Sequence, residues 1–600
     1  MSGTLALSSL IASLDRAQLE HLVRSRRIAA PASVKDPLDL AAELLKPDSV
    51  TQALTLLARE DLLLLAAGAA AGLAPQAHDE STARLRAVGL IGSNNSEFSE
   101  VSEALHTLFA SRGIATEELR ALPALVEEPD AGPADTSSWF ASALTATGQV
   151  GWILRDLERS PAKLNRNGDV ASAWLRTVEE RLAIPRPDQL VELLRESGLA
   201  HSADTWCVAA SGDWLNAAHE ARWIVLALAA IRIMPPQFLG LLGAARAGSS
   251  IAPVVADFPR HYPLATAPTF ARIERAAELW ERIGITVDGH FSEPGVAALR
   301  GDLDVASAPA PVLGLPETAP GIYIQPDLSV IVPGPLTASD EAALAALALP
   351  EQLGVASTLR ISEATLSEAF HRGLSGDEIR GMIEGLALTG IPQPVDYLIT
   401  TLSERAGSIV VSPYFGSNGR TRIEFARPEL RSTVLVDRRL AHLQFQEPTA
   451  EDALERESRP LLSRLRADHV LAALLDARYP ARGGGGLLAP AAERKHPTSS
   501  ESVDPSPATP ASRAATAAEA LIERVLDSAS DGPTDISRQV TLAIRDRSRL
   551  QVTVEMRGQV RTFTVVPVSL AAGRMRALDE AAGVERTLPL DAITEVVQLP

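Results

Sequence analysis

Residues 323–336 read "YIQPDLSVIVPGPL". Apolar and polar residues alternate from Tyr323 onward, and Pro333-Gly334-Pro335 closes the run. A period of two predicts a β-strand. It carries Tyr323, Gln325, Asp327 and Ser329 on one face, and Ile322, Ile324, Leu328 and Val330 mostly on the other. Pro326 cannot donate to a ladder, which puts the strand at a sheet edge or a bulge. The chain then enters "TASDEAALAALALP", a helix with Thr337 or Ser339 as its N-cap.

The downstream reading follows the same rules. "TLRIS" (358–362) is a short strand, and Ser362 caps a helix carrying Ala364, Leu366 and Phe370. Gly373 ends that helix, and Ser375 with Glu378 forms a capping box for the next. "GIPQP" is extended, "VDYLITTLSERAG" helical, and "SIVVSPYF" (408–415) a strand.

Upstream, helical periodicity dominates. In "LSSLIASLDRAQLEHLVRSR", Asp15 caps a helix beginning at Arg16. Three segments then repeat one grammar, in which a helix ends at glycine, an apolar residue follows, and the chain turns polar. They contain Gly89, Gly198 and Gly284, and after the last, Asp288-Gly289 predicts a hairpin. The pattern predicts tandem winged-helix-like modules. A linker separates the first from the others at 127–138 ("EEPDAGPADTSS"), and a second at 482–512 is rich in Gly, Pro, Ser and Thr. The second is expected to be disordered, and proteolysis there to release a C-terminal fragment of about ten kilodaltons. After it come the helix "AATAAEALIERVLDSA" and strand-like runs "QVTLAIRDR", "LQVTVEM", "RTFTVVPVSL" and "ITEVVQL".

Six hundred residues exceed one core. With 4% aromatic residues, the cores are built from Ala, Leu, Val and Ile, which suits packed helices. The single cysteine, Cys207, excludes a disulfide framework and reads as a small buried apolar residue. No apolar run reaches the ~18 residues of a membrane span, so a cytoplasmic location without membrane contact is expected. A nucleotide motor needs a Gly-Lys-Ser/Thr loop to hold phosphates, and none of the four lysines follows a glycine. "HEARW" at His219 lacks the second histidine of a zinc protease and reads as helix surface or cap, and no two histidines stand at metal-ligand spacing. The expectation is a non-enzyme without cofactor or metal. The net charge of −19 argues against broad nucleic-acid binding while leaving room for a local basic face.

The order "QPDLSVIVPGPL … LRISEATLSEAFHRGLSGDEIRGMIE … PQPVDYLI" followed by the strand "SIVV" resembles the helicase-associated domain of the XPB type, which in actinobacterial proteins stands without a motor. "DWLNAAHEARW" (213–223) resembles the Trp-containing segment that precedes it. The resemblance implies a link to DNA, since the equivalent XPB domain is associated with sensing distorted duplex. At the C-terminus, "VVP", "GRMRALDE" and "ERTLPLDAITEV" resemble a WYL domain, an Sm-like small β-barrel, although Met575, Arg576 and Ala577 stand where that family has its naming triplet.

The fold class expected is therefore α+β and predominantly helical. Its divisions are an N-terminal helical, winged-helix-like domain (1–126), a linker (127–138), a helical domain with winged-helix-like modules (139–320), an XPB-type αβ domain (321–481), a disordered linker (482–512) and a WYL-like β domain (513–600). Residues 420–439 hold six arginines and three carboxylates, the densest local positive charge. Arg420 and Arg422 are expected on one exposed face next to the turn "GSNG". With Arg427 and Arg431 they are the candidate phosphate contacts. The function read from these features is a non-catalytic DNA-associated accessory protein that assists a helicase, nuclease or transcription protein in trans. The alternatives are a ligand-sensing WYL-type transcriptional regulator and a protein–protein adaptor without nucleic-acid contact.

Overall fold

The alternating stretch at 323–336 folds as two strands, not one. Tyr323–Ile324 and Ser329–Val332 pair antiparallel, with Tyr323 opposite Ile331. Pro326 lies in the reversal between them, closed by the Leu328 N–H donating to the Gln325 carbonyl at 3.0 Å. Proline pre-sets the φ that such turns use, so the residue read as an edge or bulge marker begins a hairpin. The computed structural model describes residues 3–68, 75–120, 133–209, 212–303, 314–405, 408–414, 419–447, 460–477, 479–483, 510–530, 536–546, 548–556 and 559–599.

The hairpin continues into a four-stranded antiparallel sheet through Ser357–Ile361 and Ala348–Gln352. The last of these is a strand where the sequence reads as the end of a helix. The helix Ala338–Leu347 stops because Ala348 is already extended, and Pro350 is tolerated because this strand is an edge. Thr337, not Ser339, caps that helix, while Ser362 and Ser375 form capping boxes with Thr365 and Glu378.

One hydrophobic core runs from Trp139 to Leu402, so the boundary expected after residue 320 separates no two cores. The helix Trp139–Arg159 packs against His219–Ile233 and Ala267–Ile283. Trp139 meets Trp223 edge-on at 4.9 Å, and the Trp223 and Trp280 indoles donate to the carbonyls of Ile283 and Ala230. Buried indoles with satisfied N–H groups fix helix orientation as well as area.

Each glycine-terminated helix leads into a small hairpin, through an Ile91–Glu97 bridge, through Ala200–Ser202 with Trp206–Val208, and through Thr286–Val287 with His290–Phe291. Gly89, Gly198 and Gly284 all have positive φ. Gly284 is doubly constrained, because a Cβ there would stand 2.5 Å from the Trp139 carbonyl oxygen. Gly284→Ala is expected to cost roughly 2–3 kcal/mol, and Gly198→Ala only about 1 kcal/mol, since a Cβ there meets nothing within 4 Å. Urea unfolding followed by tryptophan fluorescence reads both, as all seven tryptophans lie between residues 139 and 280.

Residues 409–481 enclose a second core. Arg482 and Gly483, expected to open the linker, belong instead to the strand Ala481–Gly483, which runs parallel to Ile409–Pro413. Residues 484–509 of that expected linker, and 127–132 of the first, lie outside the described residues. "QVTLAIRDR" is a helix, Ile536–Asp546, rather than a strand. Val540, Leu542 and Ile544 mimic a period of two, but Ile536, Val540 and Ala543 form the helical face that packs on the C-terminal sheet. That five-stranded sheet has the order Val584–Pro589, Arg574–Asp579, Gln559–Ala571, Arg549–Met556, Ile593–Leu599. Its outer strands do not pair with each other among the described residues, so the barrel expected from the sequence is here an open sheet. The helix Pro510–Ser530 joins the core of the N-terminal helices through Leu521, Ile522 and Val525. No helix of the described residues is long and apolar enough to cross a membrane.

Candidate nucleic-acid interface

The four candidate arginines lie in or beside the sheet of the second core, whose order is Leu461–Ser463, Thr421–Phe425, Ile409–Pro413, Ala481–Gly483. Thr421 and Ile423 point into the core, so Arg422 and Glu424 lie on the opposite face. Arg422 stands beside its cross-strand neighbours Ser412 and Leu462. Its guanidinium is held by Glu424 at 2.7 Å, and its Nε is buried without a partner among the described residues. Arg431 is 15% exposed and paired with Glu447. These two charges are internally compensated.

Arg420 and Arg427 differ. Both are exposed, and neither makes an ion pair with another described residue. Arg427 is the N-cap residue of the helix Pro428–Val436. Arg420 immediately precedes its strand, and its N–H donates to the Ser463 carbonyl at 2.8 Å. The antiparallel register ends with Thr421 opposite Ser463, and Arg464 follows Ser463 at a bend just beyond that strand. On the other side the Tyr414 N–H donates to the Arg420 carbonyl at 2.8 Å. Tyr414, Arg420 and Arg464 thus each flank the same end of three neighbouring strands. Arg464 is exposed and also lacks an ion pair among the described residues. Sequence reasoning missed it, because only strand pairing brings its strand end to that of Arg420, 44 positions away.

The surrounding charges sharpen the contrast. Arg439 is held by Asp437 at 2.7 Å, and Tyr479 donates to the same carboxylate at 2.9 Å. Those hydrogen bonds, that of Arg439 foremost, hold Asp437 far below the usual carboxylate range. Between residues 322 and 402, every arginine is paired: Arg360 with Glu351, Arg372 with Glu368, Arg380 with Asp396.

Residues 322–449 match the family of the helicase conserved C-terminal domain. No curated protein matches the chain. The helicase-type segment opens on the Tyr323 hairpin and crosses from the first core into the second. It stops before the strands Leu461–Ser463 and Ala481–Gly483 that complete the second sheet, and so before Arg464. Within it, the described arginines without an ion pair are Arg420, Arg427 and Arg438, all in the second core's unit.

Two further residues singled out by the sequence acquire partners. Cys207 Sγ lies 3.5 Å from His201 Nε2 across the small hairpin, and burial pushes the thiol up. His219 does not sit on a surface. It begins its helix half-buried, with Nε2 2.8 Å from the Leu336 carbonyl oxygen. No cluster of metal-ligating residues occurs among the described residues.

Proposed function

We propose that this chain is a DNA-associated accessory protein of helicase type that acts on the nucleic-acid backbone without a motor of its own in these 600 residues. One observation carries the reading. In the helicase-type segment the uncompensated arginines gather in one small αβ unit, and Arg420 and Arg464 flank the same end of two paired strands. Guanidinium groups free of carboxylates are what a phosphate backbone recruits. The net charge of −19 fits this arrangement, because it disfavours non-specific binding everywhere else. The lack of any Gly-Lys pair supports action in trans, with a helicase, nuclease or transcription protein supplying the work. The finer likeness to XPB-type domains adds a preference for distorted or forked duplex. The helix–hairpin units are read as winged-helix-like modules, and the C-terminal sheet as WYL-like.

The test replaces Arg420, Arg427 and Arg464 together by Gln, which removes charge and keeps side-chain length. Binding to forked and linear duplex is followed across a salt titration. Each lost phosphate contact lowers the salt slope by about 0.9. The triple variant should therefore lose roughly two to three units of slope and at least about tenfold in affinity at low salt, equally for all sequences. Arg422→Gln and Arg431→Gln should change little by comparison. An unchanged slope in the triple variant would leave the protein–protein adaptor as the better reading.

A further inference from the structure

A second group of charges is buried, and its signs do not cancel. The helix Trp139–Arg159 contributes Arg155, His219–Ile233 contributes His219 and Arg222, and Ala338–Leu347 contributes Glu341. Glu341 Oε2 accepts from Arg222 at 2.7 Å, and Arg222 spends its other donors on the carbonyls of Ala217 and Leu215 at 2.9 and 2.6 Å. Arg155 reaches the same oxygen only at 3.5 Å. Two guanidinium groups therefore share one carboxylate, and Arg155, 12% exposed, is the one left short. Burial lowers its pKa against the attraction of Glu341, with Arg222 also lowering it and Glu158, one turn along the helix, weakly raising it. An under-compensated buried cation is costly unless something neutralises it. His219 adds a second open valence. Nε2 lies within hydrogen-bond distance of the Leu336 carbonyl, and Nδ1 is buried without a partner among the described residues.

Arg155, His219 and Glu341 line a cavity of about 80 Å³, walled by Leu144, Trp152 and Leu359. Gly148 and Gly151 line it as well. Glycine inside a helix costs about 1 kcal/mol relative to alanine. Gly148 has no positive φ, and a Cβ there would meet nothing within 4 Å, so neither backbone nor packing demands glycine. Its absent side chain leaves space open. At Gly151 a Cβ would stand 3.1 Å from an Arg155 guanidinium nitrogen, so the missing atom also lets that group fold back over the helix.

We propose that this cavity is a binding site for a short-chain carboxylate. Arg155 receives the carboxylate group, and Leu144, Trp152 and Leu359 enclose the tail. The volume is about half of the ~150 Å³ that accommodates the six heavy atoms of benzene, which leaves room for a carboxylate with about one further carbon. Bound there, the anion completes the charge balance of the two arginines. It also bridges the helical body, which supplies Arg155 and His219, to the helicase-type segment, which supplies Leu359 and Glu341. Ligand binding therefore stabilises that joint by mass action. This site stands independently of the DNA reading.

The full-length protein is titrated with acetate against chloride at equal ionic strength. Tryptophan fluorescence and melting temperature are read together, since Trp152 lies in the wall. Wild type should give a saturable fluorescence change and a rise of several degrees. Formate and butyrate should be weaker, one for lack of tail and the other for excess. Arg155→Gln should weaken the response at least tenfold. Gly148→Leu fills the space without touching a charge, so it should abolish the response while holding or raising the melting temperature. If Arg155→Gln does not fold, Gly148→Leu decides alone. A wild type without a saturable response, a Gly148→Leu variant that keeps it, or equal responses to all three carboxylates and phosphate would each overturn the proposal.

Discussion

Glu341→Ala is expected to destabilise the body spanning residues 139–402 by about 3–5 kcal/mol, the cost of stranding a buried charge. Arg222 is the charge concerned. It is 1% exposed, its guanidinium lies 5.6 Å from the Trp214 ring centroid, and Glu341 is its sole carboxylate among the described residues. Losing that carboxylate leaves two carbonyl contacts to hold a full positive charge away from water. It also leaves Arg155 with no buried counter-charge. Removing both sides of the pair is a different experiment. Arg222→Met with Glu341→Leu replaces ions by apolar groups of similar size, and such replacements are often neutral or stabilising by about 1–4 kcal/mol. The double variant should therefore unfold closer to wild type than Glu341→Ala does. Urea unfolding read by tryptophan fluorescence isolates this body, because every tryptophan belongs to it. A loss below about 1 kcal/mol in Glu341→Ala would mean that the carbonyls of Ala217 and Leu215 suffice for Arg222.

This cluster shows where sequence reading succeeds and where it stops. "DWLNAAHEARW" stood out through its likeness to a Trp-containing family segment, with no physical reason attached. The structure supplies one. The segment folds on itself so that Arg222 Nε donates to Ala217 and the Trp214 indole donates to the Arg222 carbonyl at 3.2 Å. Local signals of this kind were legible: Asp15, Ser362 and Ser375 cap where their side chains require, and Asp288-Gly289 turns with both residues at positive φ. Capping and turn chemistry act over three or four residues, which is the range a single sequence exposes. Glu341 was legible only as a helix residue, because its partners are 119 and 186 positions away. The basic stretch at 420–439 was legible only in part. Its charge was visible, and Arg422 and Arg439 are neutralised by Glu424 and Asp437 two residues away. Arg431, however, depends on Glu447, and Arg464 joins only through the pairing of the Thr421–Phe425 strand with Leu461–Ser463. Val540, Leu542 and Ile544 mark a third limit. Short apolar runs satisfy two periods at once, and only the surface they pack against decides.

Nicking the chain between residues 484 and 509 is expected to leave the C-terminal fragment bound, against the release that composition alone predicts. Leu521, Ile522 and Val525 are buried in the core of the N-terminal helices, and Leu5 and Leu38 are buried in that of the C-terminal sheet. The exchange is reciprocal, each unit completing the other's core. Polar contacts rim it: Arg16 with Glu523 at 2.6 Å, Arg524 donating to the carbonyls of Val34 and Pro31, and Arg538 with Asp36 at 3.1 Å and with Asp39. Arg16, Glu523 and Arg538 are each about half exposed, so their pairs contribute little and are screened by salt. The apolar contacts carry the association. Co-elution of the nicked fragments should then survive about 1 M salt, where the Debye length falls to about 3 Å. Leu521→Asp, by contrast, puts a carboxylate at a fully buried position. Burying an unpaired charge costs several kcal/mol, so the fragments should bind at least about a hundredfold more weakly. Wild-type fragments that separate at micromolar concentration would return the C-terminal unit to the free tethered state. Fragments that separate only in high salt would make the arginine rim, rather than Leu521 and its neighbours, the seat of the docking.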